Sequence, residues 1–225
     1  MKKITHILFS SALILGLNSC TPEIVNPDQD KIHISLDLKY NRSLDKTSAV
    51  AAFRQDDLNS NKIGLNNDAS ISFKDETLIF GISDKCYSKE FIGNVSGDFK
   101  YIDLDSDEVS NSVQMVDSLT FFLLTDSQSV SNEMILEIFM SQLEADEQLQ
   151  IEFVNAGADH SSTLYSDTYI GTVMQITSAQ ISDIPAGQVI VIVKRVKYLD
   201  SLDHSKLAGG QLTVTYEVQD TMIFF

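Results

Sequence analysis

Hydrophobic and polar residues alternate along much of this chain. Between Ile32 and Tyr40 every second residue is apolar or aromatic, and the residues in between are polar. Because successive side chains of a strand point to opposite faces, this pattern predicts a β-strand with one buried face. Residues 189–193 (VIVIV) are apolar at every position, which is typical of a strand buried on both faces.

Further strands are predicted at short intervals, separated by polar turns. They cover residues 69–73, 77–82, 87–92, 99–104, 118–124, 134–140, 148–154, 168–177, 187–198, 211–218 and 221–225. The pattern at residues 49–53 and 63–65 does not decide whether they are strands. Residues 141–148 are the one segment for which the sequence suggests a single helical turn. A dozen short strands without a long amphipathic helix predict an all-β fold, an antiparallel immunoglobulin-like β-sandwich.

The strand spacing also suggests a division into two β modules. The polar run 105–112 is interpreted as a boundary or a long turn. Module 1 is therefore placed at 32–112. Module 2, at 113–225, offers seven strands over about a hundred residues, the size of one immunoglobulin-like domain. One continuous sandwich is the alternative.

The first twenty residues follow a different pattern. Two lysines precede an apolar stretch at 7–17, and small residues come before Cys20. This is the layout of a cleaved secretory signal, and the stretch is too short for a transmembrane helix. The sequence Leu-Asn-Ser-Cys at 17–20 resembles the lipobox of bacterial lipoproteins. The resemblance implies a signal peptide at 1–19, lipidation of Cys20 with acyl chains such as palmitate, and a flexible tether at 20–31. An ordinary signal peptide is the alternative.

Lipid on Cys20 would hold the mature protein on a membrane without spanning it, since two or three acyl chains anchor firmly. Thr21 follows the cysteine, in place of the Asp that favours inner-membrane retention in enterobacterial lipoproteins. We therefore expect the outer membrane. Whether the protein faces the periplasm or the cell surface stays open.

The net charge of the mature chain argues against some classes of binding partner. Removal of residues 1–19 leaves 14 basic against 32 acidic residues, a net charge of −18. A negative field of this size argues against nucleic acid or anionic lipid as the main partner.

Apart from Cys20, Cys86 is the only cysteine of the chain. With Cys20 lipidated no internal disulfide is expected, and Cys86 is interpreted as a small buried hydrophobe.

Two segments carry residue types that are found in active or metal sites. Asp103, Asp105 and Asp107 alternate as the ligands of calcium loops do, but the glycine that such loops need for their sharp turn is missing. A solvated acidic hairpin is the preferred interpretation, and no metal is predicted. Residues 159–162 (DHSS) contain the types of a hydrolase triad without a nucleophile elbow. We expect neither catalysis nor a cofactor.

Several segments resemble uncharacterised lipoproteins of Bacteroidota, namely 49–58 (AVAAFRQDDL), 71–73 (ISF), 87–91 (YSKEF) and 99–101 (FKY). The resemblance covers the first half of the mature chain and implies immunoglobulin-like sandwiches without an assigned activity. It favours a non-catalytic structural, adhesion or protein-interaction role. The alternative is a glycan- or ligand-binding accessory lipoprotein of nutrient uptake. The chain lacks Trp, so stacking on sugars would depend on Tyr165, Tyr169 and Tyr198.

Overall fold

The computed structural model describes residues 29–66, 68–129, 132–155, 160–166, 173–199, 202 and 207–225. Within these residues the chain is almost entirely β, which confirms the predicted all-β class. After a 3₁₀ turn at Gln29–Lys31, the strands of the first half are β1 (Ile32–Asn41), β2 (Lys46–Gln55), β3 (Lys62–Ile63), β4 (Ser70–Phe73), β5 (Glu76–Thr77), β6 (Ile79–Gly81), β7 (Cys86–Ile92), β8 (Gly97–Ile102) and β9 (Glu108–Val113).

The second half contains the remaining strands and a single turn of α-helix, again counted within the described residues. The elements are β10 (Leu119–Leu123), β11 (Ser127–Gln128), β12 (Met134–Met140), β13 (Glu147–Asn155), β14 (His160–Ser166), β15 (Val173–Ile176), α1 (Ser178–Ile181), β16 (Gly187–Leu199) and β17 (Gly209–Phe224). No helix in this part of the chain has the length and hydrophobicity that a transmembrane span requires.

The strands form one large sheet and two small ones. The large sheet has the order β14-β13-β16-β17-β1-β2-β7-β6, with β11 added beside β17 and β3 beside β2. The four-stranded sheet has the order β5-β4-β8-β9, and the three-stranded sheet the order β10-β12-β15. Most neighbours are antiparallel, as predicted, but β1 and β17 pair in parallel. These two strands are neighbours in the sheet but far apart in the sequence, so no short hairpin forces them to run in opposite directions.

Strand β1 shows why the alternating pattern folds this way. Its apolar residues at every second position, from Ile32 to Tyr40, are all at most 7% exposed, whereas the polar residues between them face outward. Burying an aliphatic side chain of this size contributes about 1.5–3 kcal/mol. The predicted alternation is therefore confirmed, and it places one face of the large sheet in the core.

Both small sheets pack against that buried face, which makes the architecture β-sandwich-like. Phe53 of the large sheet contacts Tyr101 of the four-stranded sheet, with ring centroids 5.1 Å apart. Phe73 of the four-stranded sheet contacts Phe91 of the large sheet at 5.4 Å. One hydrophobic cluster contains residues of all three sheets and runs from Ile32 to Phe224. A fragment that begins at Thr21 therefore retains this entire core.

Strands of both predicted modules are joined in the large sheet through the pairing of β1 with β17. The proposed boundary between residues 112 and 113 falls inside β9. The division into two modules stays a prediction.

Several local predictions differ from the structure. The strands predicted at 69–73 and 77–82 pair with each other only over β4 and β5, which are joined by Lys74 and Asp75 with φ of 53° and 61°, the left-handed values of a tight hairpin turn. The chain then crosses to the large sheet as β6. The polar run 105–112 is a turn only as far as residue 107, and β9 follows. Segment 141–148 is not helical, and the strands predicted at 211–218 and 221–225 are one strand.

A buried ion pair holds the connection between β12 and β13. The Arg195 side chain is 1% exposed and that of Glu147 is 3% exposed, and their charged groups are in contact. Arg195 also donates to the hydroxyl of Ser141 at 2.7 Å and to the carbonyl of Gln142 at 3.1 Å. The backbone N–H of Glu144 donates to the Glu147 carboxylate at 2.9 Å. The ion pair and its hydrogen bonds thus attach the irregular segment 141–146 to strands β13 and β16.

Candidate interaction surface

The three-stranded sheet has one face in the core. Met134, Leu136 and Ile138 of β12 are at most 2% exposed, and Leu119 of β10 and Ile176 of β15 are equally buried. Alternation along these strands sends the residues between them to the opposite face. A sheet that covers a core on one side normally carries polar residues on the other.

The opposite face is mostly apolar instead, although Thr120 and Gln175 also lie on it. Five large hydrophobic side chains lie on it with 42–57% of their surface exposed: Phe122, Leu124, Ile135, Phe139 and Val173. Four of them come from the adjacent strands β10, β12 and β15, and Leu124 directly follows β10. The rings of Phe122 and Phe139 meet edge to face with centroids 5.8 Å apart. We call this set the apolar face. Contiguous exposed hydrophobic patches of this kind mark interaction surfaces.

A carboxylate lies at the centre of the apolar face. Glu137 of β12 is paired by register with Phe122 on one side and with Val173 on the other. Along its own strand it lies between the outward-facing Ile135 and Phe139. Its side chain is partly buried and has no hydrogen-bond or ion-pair partner among the described residues. The apolar face thus carries one negative charge at its middle.

The acidic segment at 103–107 has a structural role. Asp103 is 4% exposed, and its Oδ1 accepts the backbone N–H groups of Asp105 at 2.9 Å and Asp107 at 2.8 Å. Its carboxylate therefore stabilises the turn between β8 and β9, where Ser106 has a φ of 66°. Burial and the neighbouring Asp103 raise the pKa of Tyr101. Across the described residues no three His, Cys, Asp or Glu side chains form a group able to hold a metal ion.

The described residues cover only some of the other predicted candidates. Cys20, Asp159 and Tyr169 lie outside the described residues. His160 belongs to strand β14, where a loop is predicted, and pairs with Asn155 of β13. Tyr198 is 45% exposed, and its hydroxyl accepts a hydrogen bond from Gln150 at 2.7 Å.

Cys86 is buried, as predicted. It lies on the outward face of β7, where the Lys62 ammonium donates to its sulfur at 2.9 Å. The cysteine is therefore covered by a lysine rather than by the core. Its burial was predictable from residue type, but this neighbour was not.

A cavity of about 420 Å³ opens between β6, at the edge of the large sheet, and strands β4 and β5 of the four-stranded sheet. The described residues that line it include the rings of Phe80 and Tyr87, 4.9 Å apart, and none of these residues is charged. The Tyr87 hydroxyl accepts the backbone N–H of Leu65 at 2.7 Å, and burial raises the pKa of Tyr87. The size and lining are those of a site for a small neutral ligand.

The apolar face was not predicted, although the sequence carries a signal for it. Segments 119–124 (LTFFLL) and 134–140 (MILEIFM) hold hydrophobic residues at odd and even positions alike. In a strand this pattern means that both faces are apolar. No model of a known protein family matches this chain, and no curated protein matches its sequence.

Proposed function

We propose that this chain is a non-catalytic outer-membrane lipoprotein whose immunoglobulin-like β-sandwich binds another protein through the apolar face. The sequence pattern that ends at Cys20 supports the lipid anchor, and the resemblance to Bacteroidota lipoproteins supports the location. The observation that carries the interaction role is the exposure of the five large hydrophobic side chains of the apolar face.

The chemistry of the apolar face supports a protein partner. Phe122 and Phe139 offer large, stiff rings, and aromatic residues are enriched among those that dominate binding energy at protein interfaces. The surface is the face of a regular sheet. A small molecule is bound more effectively by a concave pocket that covers most of its surface.

The interaction role is tested by replacing both rings with threonine, which suits an exposed strand position. A photo-reactive residue at position 124, within the apolar face, captures the partner in cells that produce the lipidated protein. We expect Phe122→Thr/Phe139→Thr to abolish the cross-linked product. The matched control is Ile92→Thr, because Ile92 is an apolar side chain on the large sheet that is 86% exposed. Equal capture by both variants would contradict the proposal.

The cavity beside Tyr87 supports a second candidate, binding of a neutral glycan or other small ligand. Phe80 and Tyr87 form a pair of rings in a groove, and sugars stack on such rings. The test is a glycan array probed with the fragment from Thr21 onward and with its Tyr87→Leu variant. Binding that disappears in the variant would favour ligand capture, whereas an array without binding would leave the protein-interaction role as the better proposal.

A further inference from the structure

Glu137 differs from three other carboxylates on the sheets of this protein. Glu152 pairs with Lys194, Glu90 with Lys46 and Glu76 with Lys89, each at 2.6 Å. Glu137 has no such lysine or arginine among the described residues. Its register neighbours on the apolar face are hydrophobic, so solvent water stabilises its charge and no cation among the described residues does.

Covering the apolar face would remove that water. A carboxylate that loses its hydration without gaining a counter-ion is strongly unfavourable. A partner that buries Phe122 and Phe139 must therefore supply a donor or a positive charge at Glu137. A cation at this place would also lie near the two aromatic rings, which attract cations to their faces.

We propose that the partner is a protein segment with alternating apolar and basic residues, and that one of its lysines or arginines pairs with Glu137. This inference rests on the proposed interaction role of the apolar face. The charge of the chain supports it, because 32 acidic residues oppose 16 basic ones. A second copy of the chain would bring further negative charge to the interface, whereas a basic segment is attracted to it.

The probes are two synthetic nine-residue peptides, one alternating valine with lysine and one alternating valine with glutamate. Their affinity for the fragment from Thr21 onward is measured by calorimetric titration. We expect the lysine peptide to bind and Glu137→Gln to weaken its binding about tenfold, the usual loss for a hydrogen bond to a charged group. The matched control is Glu108→Gln, which removes an exposed carboxylate from the four-stranded sheet and should leave binding unchanged.

Three results would overturn the inference: equal affinity of wild type and Glu137→Gln, tighter binding of the glutamate peptide, or no binding of the lysine peptide. Sedimentation of the fragment tests whether a second copy of the chain covers the apolar face. Binding of the fragment to phosphatidylcholine vesicles tests whether a lipid surface covers it. Either association, if lost in Phe122→Thr, would also overturn it. Negative results in these binding experiments do not affect the cross-linking test of the interaction role, so the two proposals can fail separately.

Discussion

Replacing Arg195 with methionine tests how far the buried ion pair supports the fold. Methionine keeps most of the length of the side chain but removes its charge and all of its donors. The Glu147 carboxylate, 3% exposed, then loses its counter-ion, and the carbonyl of Gln142 loses a donor at 3.1 Å. Breaking a buried pair from one side costs about 3–5 kcal/mol. We expect the free energy of unfolding to fall by this amount.

The assay is urea denaturation of the fragment from Thr21 onward, followed by far-ultraviolet circular dichroism because the chain has no Trp. The comparison is the double variant Arg195→Met/Glu147→Leu, which leaves neither charge behind. We expect it to be more stable than Arg195→Met alone, since an apolar pair avoids the cost of an unpaired buried charge. A loss below about 1 kcal/mol for Arg195→Met, or a double variant no more stable than the single one, would refute this reasoning.

Three further substitutions can be measured in the same way. Asp103→Ala should cost about 1–3 kcal/mol, because two backbone N–H groups lose their acceptor; an unchanged midpoint would mean that water replaces the carboxylate. Gly210→Ala should also cost about 1–3 kcal/mol, since a Cβ there would lie 2.6 Å from Leu202 and 2.9 Å from the Ile34 carbonyl. Stability equal to wild type would show that these neighbours move aside.

The third, Asp37→Asn, depends on pH. Desolvation raises the pKa of Asp37, so the folded state holds this proton more tightly and ionisation destabilises it. The amide should therefore stabilise the protein at pH 7 by up to about 0.5 kcal/mol, and the gain should vanish below the pH at which an ordinary carboxyl is protonated. A gain that grows on acidification would contradict the sign.

The sequence predicted several strands closely, both where apolar residues alternate and where they are continuous. The boundaries of β12 match the prediction, and β1 and β16 differ from theirs by one residue. The errors lie where local composition misleads. Residues 108–112 are mostly polar and were therefore interpreted as part of a boundary. They form a strand nevertheless, because a strand at the edge of a small sheet needs few apolar residues. The four-residue helix α1 was missed because one turn is too short for a helical period to show.

The candidate site was harder to predict than the fold. The segments that form the apolar face were predicted as strands. Whether the second face of such a strand is covered depends on the sheet to which the strand belongs. Residues 189–193 show the same all-apolar pattern, yet there Ile190 and Ile192 are half-buried on the large sheet. On the smaller three-stranded sheet, Phe122 and Phe139 remain exposed.

Residue order alone determined the β class of this protein, its buried strand faces and the chemistry proposed for Cys20, because these follow from the period of the chain and from local motifs. The tertiary structure decided which strands meet. Neither the parallel pairing of β1 with β17 nor the ion pair of Arg195 with Glu147 follows from neighbouring residues, since each joins positions far apart in the chain. The same is true of Glu137, whose hydrophobic surroundings come from three strands and exist only once these have been brought side by side.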